Sequence, residues 1–271
     1  MMNLGLVRRA LRETLPTTLL CAVLLATISG LLAYALPQFQ ARIIQRAMPP
    51  GFMQMRNVML GVDSTGGGIA DIAFSIAWSH PVVLILLLAQ AIITCTRVPA
   101  GEIERGSIDM LMGLPISRWE LFLSETVAWL MGGLLMLAAV YGGSYIGAQF
   151  IHAEYRPHWG KLLMVLANLS LVYALVGAAA MAASAMSDRR GRAVVAVLVL
   201  SVGSLLINFL ELLWEPAKNV AFLSFLHYYR PIGMLMSGRW ALGDMAILGG
   251  GALVLWVVAG VVLQRRALTT L

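Results

Sequence analysis

The feature that most constrains this chain is a series of apolar stretches, each about 20 residues long, that recurs along the sequence. A helix of that length rises about 30 Å, which matches the hydrocarbon core of a bilayer. Only 12% of the residues are charged, whereas a soluble domain of this size carries about 25%. Most of the surface must therefore face lipid, and the sequence predicts an all-α membrane protein.

We predict one transmembrane domain covering residues 1–271. Its six predicted spans lie at about 16–36, 80–98, 120–149, 161–186, 193–214 and 243–263. The third stretch is longer than a bilayer requires, so we expect it to tilt, to protrude or to break, with Gly132–Gly133 and Gly142–Gly143 as its weak points. The intervening regions 37–79 and 215–240 are predicted to be outer segments, and 37–79 is too polar to span.

The N-terminal residues 1–15 combine leucines at helical spacing with arginines between them. This pattern predicts an amphipathic helix that lies at the membrane interface. A charged flank that only orients the first span is the alternative reading. A cleaved signal peptide is disfavoured, because the apolar run that follows is as long as a whole bilayer crossing.

An even number of spans places both termini on the same side of the membrane. The connection 187–192 carries three arginines directly between two spans, and Arg265 and Arg266 follow the last span. Cationic residues in short loops favour the cytoplasmic side, so we predict a multi-pass protein of the cell membrane with both termini in the cytoplasm. The net charge of +6 is attributed to loops that face anionic lipid, and not to nucleic-acid binding.

The stretch between the second and third predicted spans reads GEIERGSIDMLMGLPISRWELFLSE, residues 101–125. Acidic residues come first and apolar residues follow, which predicts a short helix over 99–115 whose acidic start suits the helix dipole. Helical spacing places Ile103, Met110 and Leu111 on one face. Pro115 is expected to end this helix, and Ser117 with Glu120 predicts a capping box for the next one.

This stretch resembles the signature of ABC-2-type permeases. A second stretch, FLSFLHYYRPIGMLMSGRW at 222–240, resembles the linker before the last span in the branch that includes permeases for antibiotic export and multicopper-enzyme maturation. The basic ending Gln264–Arg266 resembles that branch as well. The chain departs from the family pattern where Ile103 separates two acids and where Ser107 replaces a threonine.

The resemblance implies a type V exporter-like permease that works as a homodimer or heterodimer and moves a hydrophobic or lipid-like substrate. Each subunit would dock on a cytoplasmic ABC ATPase, which would bind ATP and Mg²⁺. The region 99–115 would be the coupling helix. The residues implied in coupling are Glu102, Ile103, Glu104, Arg105, Gly106, Ser107, Asp109, Met110, Leu111, Pro115 and Arg118. No catalytic residue, cofactor or metal is implied in this chain, and no GxxxxGK[ST] phosphate loop occurs in it.

Two other function classes stay open at this point. One is a channel or a scaffold subunit of a membrane complex. The other is an intramembrane serine protease, for which Ser144 would need His80 or His227 as its base. A metal site at His152, Glu154 and His158 is disfavoured by the spacing. Glu211 could face a lumen or pair with Lys218, but its place at the edge of a span favours simple solvation at the interface.

Overall fold

The computed structural model describes residues 4–47, 67–113 and 115–266, and all regular structure in these residues is helical. The helices are α1 (Leu4–Ala47), α2 (Gly67–Ser79), α3 (Pro81–Cys95), α4 (Glu102–Glu104), α5 (Ile108–Met112), α6 (Arg118–Gln149), α7 (Trp159–Met186), α8 (Arg190–Leu213), α9 (Pro231–Ser237) and α10 (Leu242–Arg265). Five of them, α1, α6, α7, α8 and α10, are long and apolar enough to cross a membrane. The bent pair α2–α3 supplies a sixth candidate span, in agreement with the predicted all-α architecture.

The first helix is longer than the sequence pattern predicted. α1 runs without interruption from Leu4 to Ala47 and contains Pro16 and Pro37. The predicted division between an interfacial helix 1–15 and a span 16–36 is therefore wrong as a helix boundary. Neighbouring helices support the backbone groups that a proline leaves unpaired in a bundle of this kind, so the helix continues through both positions.

The second candidate span begins earlier than the prediction of residue 80. α2 and α3 meet at His80 with a bend of 42°. Pro81 occupies the first turn of α3, and the Nδ1 atom of His80 accepts a hydrogen bond from the Val82 amide at 3.3 Å. Residues 67–79 thus form a packed helix within the predicted outer segment 37–79, and residues 48–66 lie outside the described residues.

The third span does not break at its glycines. α6 is one helix over Arg118–Gln149, so a break at Gly132–Gly133 or Gly142–Gly143 is excluded, which leaves tilt or protrusion as the expected ways to fit its length. Two of these glycines instead allow close packing. A Cβ on Gly133 would lie 2.3 Å from the Tyr173 ring, and a Cβ on Gly143 would lie 2.1 Å from the backbone oxygen of Ala26. The lack of a side chain is used here for helix contact, as is common in membranes.

The centre of the bundle is formed by α3, α6 and α7. α6 and α7 each bury 61% of their most apolar window, whereas α8 buries 17%. α1 runs parallel to α6, since Thr18 lies beside Gly132 and Gly30 lies beside Gly147. α10 packs along α7 in the same direction, with Gly251 against Leu175. The exposed faces of α1, α8 and α10 are the surfaces that meet lipid or another chain.

A buried polar contact joins four of these helices. Gln90 on α3 donates to Thr18 on α1 at 3.0 Å and accepts from the hydroxyl of Tyr173 on α7 at 2.7 Å. The same Tyr173 hydroxyl lies 3.1 Å from the Trp129 carbonyl oxygen on α6. Inside an apolar bundle such side chains are stable only when paired, so this contact fixes the register of α1, α3, α6 and α7.

The predicted outer segment 215–240 contains three short turns and α9. The turns are Glu215–Asn219, Ala221–Leu223 and Phe225–Tyr228. Glu211 does not pair with Lys218: its carboxylate lies 3.0 Å from Nδ1 of His227, and Lys218 lies 2.7 Å from Glu215. Glu211 meets His227 and not Lys218 because the turn Phe225–Tyr228, which contains His227, folds back over the end of α8.

Candidate coupling site

The segment 97–115 includes the stretch that resembles a coupling helix, and we call it the coupling segment for that resemblance. It lies where four long helices begin or end. It follows α3 and precedes α6, and it contacts residues near the start of α1 and the start of α8. Both described ends of the chain reach this end of the bundle, since Arg9 contacts the segment and Arg266 contacts Asp188. The segment is thus placed where one movement can reach several helices.

The predicted single helix 99–115 is wrong. After a kinked stretch at Arg97–Gly101, in which Val98 is extended, the segment forms α4 and α5 with a turn between them. Gly106 in that turn has φ +70°, a left-handed conformation that glycine adopts without the usual steric cost. The second short helix, α5, ends at Met112 with Gly113 as its C-cap, so Pro115 lies beyond its end.

The break also changes which residues share a face. Ile103 and Leu111 are buried, but Met110 is 82% exposed. The prediction that these three residues share one face is therefore wrong, since it assumed continuous helical spacing across Gly106. The segment has instead a buried first half and a partly exposed second half, in which the buried Ile108 and Leu111 alternate with exposed residues.

The buried first half is anchored in the bundle. Residues 97–103 are all buried. The backbone amide of Ala100 donates to the Ser184 hydroxyl on α7 at 3.2 Å. Glu102, with 3% of its side chain exposed, pairs with Arg9 on α1 at 3.2 Å and accepts a short hydrogen bond from the Ser107 hydroxyl. The start of the coupling segment is therefore part of the core and not a solvated loop.

A buried ionic cluster lies directly beneath this half. Arg97 has 8% of its side chain exposed and contacts Glu13 on α1 through one guanidinium nitrogen. Its other terminal nitrogen meets both oxygens of Glu125 on α6, at 2.5 and 2.6 Å. A buried charge is retained only when it is paired and hydrogen-bonded, so Arg97 joins α1 and α6 to the segment that follows α3.

The partly exposed second half begins at Glu104. Its carboxylate accepts a hydrogen bond from the backbone amide of Arg190 at 2.9 Å, at the start of α8. A carboxylate at the first turn of a helix is favoured by the helix dipole. The solvent-facing residues of this half are Glu104, Arg105, Gly106, Asp109, Met110, Gly113 and Pro115, which we call the tip. The tip carries an apolar side chain, Met110, among the charged residues Glu104, Arg105 and Asp109.

Arg118 lies apart from the tip. Its Nη1 atom faces three backbone oxygens at the end of α10: Leu263 at 3.2 Å, Gln264 at 3.0 Å and Arg266 at 2.5 Å. This is the favourable position for a cation beside a helix C-terminus. The predicted capping box at the start of α6 is confirmed, because Ser117 and Glu120 exchange bonds at 3.1 and 2.9 Å.

Sequence reasoning missed the ionic cluster. Four charged residues of this region are not among the site residues predicted from the sequence: Glu13, Arg97, Glu125 and Arg190. The available signal was Glu125, an acid within an apolar span, since charged residues at such positions are rare and usually functional. Its partners could not be named, because they come from other helices.

The arrangement required for serine protease chemistry is not found. The Ser144 hydroxyl accepts a hydrogen bond from the Trp78 indole nitrogen at 3.0 Å and is fully buried. Nδ1 of His80 caps α3, and His227 pairs with Glu211. Among residues 4–47, 67–113 and 115–266, no group of three or more His, Cys, Asp or Glu side chains could hold a metal ion.

These features define an all-helical multi-pass membrane protein with a polar, partly exposed segment at one end. A family model described as ABC-2 family transporter protein matches residues 11–268. The chain therefore belongs to the ABC-2 family of membrane transport components, whose permeases generally work with an ATPase subunit. No curated protein and no solved structure gives a significant match.

Proposed function

We propose that this chain is the permease subunit of an ABC transporter and that a separate cytoplasmic ATPase drives it through the tip. The observation that carries this proposal is the exposed Met110 on a segment whose other half is buried and ion-paired. An exposed apolar residue among charges is typical of a side chain that enters a partner's groove. The ATPase would bind ATP and Mg²⁺, and this chain would carry no catalytic residue.

The anchoring of the segment suggests how force would pass into the membrane. A push on the tip acts on α8 through Glu104 and on α1 through Glu102. It acts on α6 through Arg97 and Glu125. Ion pairs can exchange partners without loss of packing, so this region is suited to two arrangements, which alternating access requires.

The proposal includes both termini in the cytoplasm of a multi-pass cell-membrane protein. The tip, the start of α1 and the end of α10 lie at one end of the bundle, so all three face the same side of the membrane. Three arginines, Arg189, Arg190 and Arg192, lie at this end, at the short connection between α7 and α8 and in the first turn of α8, as expected for the cytoplasmic side. Labelling of a cysteine placed at Arg192 from outside intact cells would contradict this orientation.

We further propose that two permease subunits pair and that the cargo is hydrophobic or lipid-like. α8 buries little of its surface, which leaves an apolar face for a second copy or a related subunit. Grooves of about 670 and 460 Å³ between α1 and α6 are lined mostly by apolar residues. Disulfide formation between Leu198→Cys subunits on the exposed face of α8 tests the pairing, and its absence in active membranes would refute that interface.

The coupling proposal is tested by co-purification of the full chain with an ABC ATPase encoded beside it. We expect Met110→Glu to abolish co-purification, since it places a charge where the partner's groove requires an apolar side chain. The control is Met236→Glu, another exposed methionine, in α9 at the far end of the bundle. Retention of the ATPase by Met110→Glu, or equal loss with both variants, would overturn the role of the tip.

A further inference from the structure

A polar cavity of about 390 Å³ opens beside the ionic cluster, at the same end of the bundle as the tip. Its wall includes three arginines from three parts of the chain, Arg97, Arg105 and Arg190, and one carboxylate, Glu13. Thr14, Thr17 and Thr94 also line it. The lining itself carries three cations and one anion, while Glu125 behind Arg97 and Glu102 beside Arg105 offset part of this positive charge.

The cationic groups of the cavity are not equally neutralised. Arg97 is held between Glu13 and Glu125. Arg105 lies 3.8 Å from the Glu102 carboxylate, and its Nε donates to the Gly101 carbonyl oxygen at 3.1 Å. The Arg190 guanidinium contacts the Ile93 carbonyl oxygen at 2.9 Å and the Thr96 hydroxyl at 3.5 Å, and neither group is an anion. Arg105 and Arg190 therefore have charge and donor capacity left for a ligand.

The cavity continues into an apolar surface that faces the membrane. On α1, Leu20 and Leu24 are exposed and follow Glu13 and Thr17 on one face at helical spacing. On α3, Ile93 lines the cavity, and the exposed Ile85 lies two turns further along the same stripe. Polar and apolar parts are thus arranged end to end, as they are in a phospholipid.

We propose that this cavity, which we call the inner pocket, binds the anionic phosphate headgroup of a bilayer lipid, with its acyl chains on the adjoining apolar faces of α1 and α3. Guanidinium groups bind phosphate oxygens in paired hydrogen bonds. Basic pockets between transmembrane helices bind acidic headgroups in this way. The apolar continuation favours a lipid over a free phosphate ion, which needs no such surface.

Lipid binding here goes beyond the proposed coupling and does not depend on it. The inner pocket includes Arg97 and Arg105, which border the buried half of the coupling segment. A bound headgroup would neutralise the repulsion among three arginines and would stabilise the arrangement in which the segment is anchored. Bound lipid would therefore favour one position of the tip.

The test uses the full-length purified chain and native mass spectrometry, without an ATPase. The probes are a phosphatidylglycerol and a phosphatidylcholine with the same acyl chains. We expect phosphatidylglycerol to bind preferentially and the double variant Arg105→Gln/Arg190→Gln to weaken its binding at least about tenfold, the effect of losing charged hydrogen bonds. Arg190→Lys should retain part of the preference, because it keeps the charge.

The matched control is Arg192→Gln, which removes an exposed arginine from the same helix two residues away and outside the pocket. It should leave the preference unchanged, and circular dichroism should give equal helical content for all variants. Equal binding of the two lipids to the unmodified chain would overturn the proposal. So would full binding by the double variant, or displacement of phosphatidylglycerol by millimolar inorganic phosphate. None of these outcomes bears on ATPase docking, which Met110→Glu tests separately.

Discussion

The two ends of this helical bundle are held together by different forces. At the tip end, ion pairs join α1, α6 and the coupling segment around Arg97. At the far end, aromatic rings pack edge to face or tilted: Trp159 lies 6.3 Å from Phe74, 5.7 Å from Tyr141 and 4.9 Å from Tyr145, measured between ring centroids. The far end also contains ion pairs, such as Lys161 with Asp71 at 3.6 Å, and the tip end contains the aromatic pair Trp119–Phe122. The difference lies in the buried cation Arg97, which bridges carboxylates of two helices at the tip end.

This difference suggests where the molecule can move. Aromatic contacts depend on close complementary shape, and packed cores do not deform continuously. Ion pairs among several arginines and glutamates allow exchange of partners at small cost in packing. We infer that the far end acts as the fixed part of the bundle and that rearrangement is concentrated at the tip end. Slower hydrogen exchange in α2 than in α4 and α5 would agree with this; the reverse would contradict it.

The largest expected effect comes from removal of the central cation. Arg97→Met leaves the buried Glu125 without its charge partner, and loss of one member of a buried pair costs about 3–5 kcal/mol. We expect the free energy of unfolding, measured by denaturant titration in micelles, to fall by that amount. The double variant Arg97→Met/Glu125→Gln should lose less than Arg97→Met alone.

The control for this change lies at the far end. Arg239 is exposed, so Arg239→Met should alter the free energy of unfolding by less than about 0.5 kcal/mol. If Arg97→Met lowered the free energy of unfolding by no more than Arg239→Met does, the ionic cluster would not stabilise the tip end. The proposed difference between the two ends would then be wrong.

A smaller effect is expected from a methyl group at the contact of α1 and α6 towards the far end. Gly143→Ala would place its Cβ 2.1 Å from the Ala26 backbone oxygen, which forces the helices apart. Overpacking of this kind costs about 1–3 kcal/mol. Gly142→Ala is the matched control, because nothing lies within 4 Å of its added Cβ. The same micelle titration measures both, and equal behaviour of the two variants would refute the close contact.

The smallest of these effects concerns Ser144. Ser144→Ala removes the acceptor of the Trp78 indole hydrogen bond and is expected to cost about 1 kcal/mol. The control Ser201→Ala removes a hydroxyl that bonds only within its own helix and should be nearly neutral. Transport should persist in Ser144→Ala, whereas loss of a proteolytic activity in this variant would revive the protease alternative.

Much of the fold could be predicted because membrane helices leave a local signal. Apolar stretches of bilayer length and the Ser117–Glu120 capping box depend on neighbours in sequence, and the structure contains both. The boundaries near Pro16, Pro37 and Pro81 were less predictable. A proline weakens the backbone locally, but its effect depends on which helices pack around it.

The candidate site was only partly visible in the sequence. Motif resemblance located the region 99–115, and composition indicated that its acids matter. The sequence did not indicate that Glu102 is buried against Arg9, or that Glu104 caps α8 through Arg190. Such contacts join residues about 90 positions apart, and no local pattern encodes them.

The sequence by itself determined that this chain is a multi-span helical membrane protein, because hydrophobic length and low charge suffice for that conclusion. It also determined the family through residues 11–268. Only the tertiary structure decided which half of the coupling segment is buried and which residue forms its exposed point. Burial depends on the packing of α1, α6 and α8 around the segment, and the glycine turn at Gly106 sets the direction in which Met110 projects.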